Sequence, residues 1–152
     1  MNFKNITLGL TFLLINTASA QVDEKKMIKD YSTDFLFLID KADSLLTVIS
    51  KGKGTLVGTA PDCLASRNLS KQLGDQAMVS NLEVYKQKRA FNQGLLLIAN
   101  TATQLEYLFE ALHFYLQTQN RLFLVNAVEG RKILEKSGKE IARFRDRKED
   151  GI

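Results

Sequence analysis

The sequence predicts an all-α fold: an antiparallel bundle of three long heptad-patterned helices, with a short helix in a Gly-rich insertion, behind a cleavable signal peptide. Three observations predict it. Apolar residues recur at alternating steps of three and four over most of the chain. One Pro and few β-branched runs leave little that would break a helix. A hydrophobic share of 45% in 152 residues is enough for one core and argues against disorder.

The first element is the leader. Lys4 makes the start positive, residues 6–15 (ITLGLTFLLI) are apolar, and Ala18-Ser19-Ala20 offers small residues where a signal peptidase cuts. Ten apolar residues are too few to cross a bilayer core of roughly 30 Å as a helix. The expectation is residues 1–20 as signal peptide and residues 21–152 as a single helical-bundle domain, periplasmic or secreted. No later stretch is apolar enough to be a transmembrane segment in the mature chain.

The first helix is expected over about residues 24–50. Ile28, Tyr31, Phe35, Leu38, Ala42, Leu45 and Ile49 follow at steps of 3, 4, 3, 4, 3, 4. Asp23 and Glu24 suit the positive end of its dipole, and Gly52 suits a left-handed terminator. An irregular insertion is expected over residues 51–74. It opens with the Gly-rich run from Gly52 to Thr59 and holds a short helix at about 61–73, between Pro61 and Gly74. Its Gly-Lys-Gly-Thr wording lacks the spacing and preceding strand of a phosphate-binding loop.

A second seam runs Phe91, Leu95, Ile98, Ala102, Leu105, Phe109, Leu112, Leu116. It predicts a helix over about 80–117, opening at the Ser80-Asn81-Leu82-Glu83 capping box, with a division near Thr101 as the alternative. The third seam is Phe123, Ala127, Gly130, Leu134, Ser137, Ile141, Phe144, for a helix over about 120–147. Its phase slips by one residue in Gln117-Thr118-Gln119-Asn120, which marks a turn.

Charge is uneven. The formal net charge is +4, yet residues 22–50 carry six acids against four Lys, and residues 131–150 carry eight bases against five acids. Bases alternate with acids as on a solvated helix face, so helix-to-helix complementarity is expected and no nucleic acid partner is.

Candidate site residues are few. Glu106, Glu110, His113 and Gln117 form a polar stripe, and Glu110-x-x-His113 has the spacing of di-iron bundle proteins. His113 is the only histidine, so a second such motif is absent, and no cofactor is expected. Met27 through Leu45 loosely resembles the first helix of small periplasmic b-type cytochromes. In that family a Met of the first helix and a His near the end of the last hold haem iron. The last helix here has no histidine, so the resemblance supplies no second ligand. Cys63 is the only cysteine; a buried thiol is expected, with a disulfide-linked homodimer as the alternative.

Recognition is expected in the insertion, at Lys53, Thr55, Leu56, Val57, Cys63 and Arg67, because irregular connections on rigid bundles often carry it. The plan of leader, long helices and irregular insertion is similar to that of bacterial conjugation pilus-tip proteins. The functional expectation is a non-enzymatic helical module that binds a protein partner, as a secretion, conjugation, immunity or chaperone accessory. The alternative is a bundle that binds a small ligand, haem or metal near the polar stripe.

Overall fold

The computed structural model describes residues 23–146; residues 1–22, with the expected signal peptide, and residues 147–152 lie outside the described residues. Four helices follow one another: α1 (Glu24–Ser50), α2 (Ala60–Lys88), α3 (Gln93–Thr118) and α4 (Arg121–Asp146). There is no strand among the described residues. Every pair except α2 and α4 is in contact, so the helices stand in cyclic order with α1 and α3 meeting across the middle. Tyr31 of α1 reaches Ser80 of α2, and Lys41 reaches Asp62, so those two helices run in opposite directions. Arg67–Glu106 with Gly74 beside Ala102, and Arg131–Asp43 with Gly138 beside Phe35, show the same for α2 with α3 and for α4 with α1.

α1 starts where Asp23 accepts the Lys26 amide at 2.9 Å. It ends at Gly52, whose φ of +67° allows two back-bonds: Gly52 N–H to the Ile49 carbonyl and Lys53 N–H to that of Val48. Phe35, Leu38, Ala42, Leu45 and Ile49 are buried along one face, while Tyr31 is half-buried.

The insertion corrects the sequence reading most. Only residues 51–59 are irregular; the short helix at 61–73 is the beginning of α2, which runs unbroken through Gly74 to Lys88. Gly74 is no terminator. It sits against α3, where an added Cβ would lie 3.4 Å from Ala102 Cβ and 3.5 Å from the Ala99 carbonyl. Packing against α3 outweighs the roughly 1 kcal/mol that Gly costs a helix interior. Those distances are ordinary contact, so Gly74→Ala is expected to raise stability by roughly 0.5–1 kcal/mol in thermal or urea unfolding.

α2 carries little apolar periodicity because its buried row is mostly small or polar: Ala60, Cys63, Ser66, Ser70, Leu73, Ala77, Asn81 and Val84. Ser70 is wholly buried and turns its hydroxyl onto the Ser66 carbonyl of its own helix at 2.9 Å, so burial leaves that donor satisfied.

Ser80 caps nothing. It lies mid-helix, hydrogen-bonded to the Tyr31 hydroxyl at 2.8 Å, and Glu83 pairs with Lys86. The expected helix over 80–117 is divided instead at residues 89–92. Arg89 turns left-handed at φ +57°, and Phe91, expected in the seam, is 43% exposed and stacked on Tyr85. Asn92 is the physical reason. Its side chain accepts the Leu95 amide at 3.1 Å, and its own amide donates to the buried Asn81 side chain at 2.7 Å. α3 then passes straight through Thr101, whose hydroxyl bonds back to the Leu97 carbonyl. It touches all three other helices and buries residues around much of its girth.

The turn before α4 falls at Gln119 and Asn120, with Gln119 left-handed at φ +55°. α4 buries only Ala127, Leu134 and Ile141, the narrowest footing of the four. No helix among the described residues is long and apolar enough to cross a membrane.

Candidate functional site

Residues 51–59 close one end of the bundle, together with the C-terminus of α3 and the start of α4. Gly54 lies directly over the core. A Cβ there would fall 2.8 Å from Ile49 Cγ1 and 3.0 Å from Leu116 Cδ2, so only glycine allows this approach. The next turn is held by two threonines. Thr55 N–H donates to Thr59 Oγ1 at 3.0 Å, and Gly58 N–H donates to Thr55 Oγ1 at 3.0 Å. The Thr55 carbonyl accepts from Thr59 and Ala60.

Between these tied points stand Leu56 and Val57, 55% and 89% exposed. Two apolar side chains are therefore held in water by a loop that hydrogen-bonds to itself. Leu122, in the first turn of α4 at the same end of the bundle, is also 61% exposed. Lys53, in the same loop as Leu56 and Val57, is exposed.

The remaining two residues of the expected recognition segment lie elsewhere. Cys63 is fully buried and free, one turn into α2. Burial pushes its thiol up to about 11, aided by the neighbouring Asp62 charge and opposed by Lys41. Arg67 turns towards α3, with its guanidinium 3.5 Å from Glu106 and 3.3 Å from Glu110. The structure thus joins two sets of residues that the sequence kept apart: Arg67 of the insertion and the carboxylates of the polar stripe.

This union bears on chemistry. A cation already stands between Glu106 and Glu110, where a metal ion sharing both would have to sit. His113 is half-buried, with Nδ1 enclosed and without a hydrogen-bond partner; Gln117 is exposed. Among the described residues no three His, Cys, Asp or Glu side chains converge on one point. The haem pairing also fails on distance. Ile28 lies level with Gly94 and Ile49 level with Leu116, so Met27 and His113 stand at opposite ends, about 30 Å apart along the bundle.

A second polar cluster, at the far end, was not expected. Glu24 pairs with Lys88 and accepts a hydrogen bond from Asn92. Burial pushes the Glu24 carboxyl up, but the bonds from Lys88 and Asn92 outweigh it and hold the group below its ordinary value. Asn92, ahead of Gln-Gly-Leu-Leu-Leu, is the helix-capping residue type that could have marked this junction. The cluster ties three chain segments together and binds its own charges, which makes it a structural clasp.

No protein family, characterised protein or solved structure matches the chain.

Proposed function

We propose that this chain is an exported, non-enzymatic helical module that binds a protein partner through the loop at residues 51–59 and the adjoining start of α4. One observation carries the reading: Leu56 and Val57 stand in solvent on a loop whose backbone is pinned from both sides. Apolar groups on a floppy loop would fold down onto the core. Here Gly54 and the two threonines hold the loop in place, so it presents a preformed apolar tip at low ordering cost. Export is supported by Lys4, the apolar run at 6–15 and Ala18-Ser19-Ala20. A periplasmic or extracellular accessory role, in secretion, conjugation, immunity or chaperoning, suits such a module.

Capture from the native envelope tests it. The double variant Leu56→Asp and Val57→Asp should keep its helical circular dichroism, because neither side chain is in the core. It should lose at least roughly tenfold in partner affinity, since two apolar anchors are removed. A partner retained at full strength by that variant would remove the loop from the interface.

A further inference from the structure

We propose that the groove between α1 and α2 receives a lysine or arginine side chain from a basic, amphipathic segment of the partner. This inference rests on the partner-binding reading and adds the chemistry of what is bound. The groove is a cavity of about 260 Å³ whose lining includes Asp34, Phe37, Leu69 and Gln72. Pockets for drug-sized ligands run to roughly 300–1,000 Å³. This one suits a single long side chain.

Its floor, Leu38 and Leu73, is buried; its walls, Phe37 and Leu69, are 62% and 49% exposed. Asp34 lies one turn before Phe37, and Asp30 one turn before that on the same side of α1. Both carboxylates are exposed, and neither makes a hydrogen bond or ion pair among the described residues. Lys26 and Lys29 flank Asp30 towards the start of α1, and Lys41, two turns beyond Asp34, is held by Asp62 at 3.0 Å. The Asp34 carboxylate therefore stands beside an exposed aromatic ring without an ion pair among the described residues, on a chain whose formal net charge is +4.

A cation on an aliphatic stem answers each feature. The stem covers Leu69 and the apolar floor, and the charge is shared between the Asp34 carboxylate and the Phe37 ring. An anionic or wholly apolar occupant would cover Asp34 and leave it without a counter-charge, which is costly.

The probe is a helical peptide of Leu and Lys, with Leu along one face, set against the same peptide carrying Glu for every Lys. Each is titrated into the isotope-labelled protein at low salt. The Lys peptide should shift the amides of Asp34, Phe37, Leu69 and Gln72, and the Glu peptide should not. Asp34→Asn should weaken binding roughly three- to tenfold. Asp40→Asn should leave it unchanged, because the charge of Asp40 acts on Arg131 of α4 instead. Added salt should weaken the complex. Equal binding of the Glu peptide, an equal loss in Asp40→Asn, or shifts that avoid this groove would overturn the assignment. Partner capture through Leu56 and Val57 is read separately, so failure of the groove assignment and failure of the loop as an interface are distinguishable.

Discussion

Phe109→Ala should cost about 3–5 kcal/mol of unfolding free energy, a large part of the roughly 5–15 kcal/mol that holds a domain of this size together. Phe109 is wholly buried on α3, the helix in contact with every other. Truncation removes the transfer free energy of the ring and opens a cavity that the surrounding core fills only in part. Urea unfolding followed by circular dichroism should show a lower midpoint with the slope little changed. Tyr107→Ala provides the contrast. That ring is 65% exposed two residues away, and its loss should cost under about 0.5 kcal/mol. If the two variants unfolded alike, α3 would not be the centre of the core.

Cys63 should be nearly inert while the protein is folded. Its side chain has no exposed surface, and its ionisation is pushed from 9.0 up to about 11. At pH 8 the thiolate is thereby about a hundredfold scarcer than for an ordinary cysteine, before any steric block is counted. A thiol reagent should therefore label the chain only in denaturant, and non-reducing gels should show no disulfide-linked dimer. Rapid labelling under native conditions would contradict the burial.

The same group predicts a pH dependence. Between about pH 9 and 11 the unfolded thiol loses its proton while the folded one keeps it. The unfolded state then binds fewer protons, so stability falls as pH rises through that window. Cys63→Ala should lose this share of the alkaline decline, as read from unfolding midpoints at pH 8 and pH 10.5.

The candidate site was legible only in pieces. Leu56 and Val57 could be singled out because Gly52, Gly54 and Gly58 mark an irregular connection around them. Their orientation could not, since it depends on Gly54 meeting Leu116, 62 residues later in the chain. Arg67, Glu106 and Glu110 were all visible as charged residues near helix flanks. Nothing local says that one guanidinium answers both carboxylates. The groove at Asp34 and Phe37 was hidden for a related reason: Phe37 reads as an ordinary exposed neighbour of the α1 seam until Leu69 and Gln72 are placed across from it.

By itself the sequence determined the all-helical class and the limits of α1, because the Asp23 cap, the apolar row and Gly52 are all local signals within one helix. It also determined the turn before α4, where the apolar phase slips. Tertiary structure alone decided that Gly74 lies inside a long α2 and that the chain breaks at Arg89–Asn92. Periodicity records contrast between apolar and polar residues along one helix. The buried face of α2 is built mostly from Ser, Ala, Cys and Asn, with Leu73 and Val84 as its larger apolar residues, so it carries little such contrast; its burial is imposed by α3 packed closely against it.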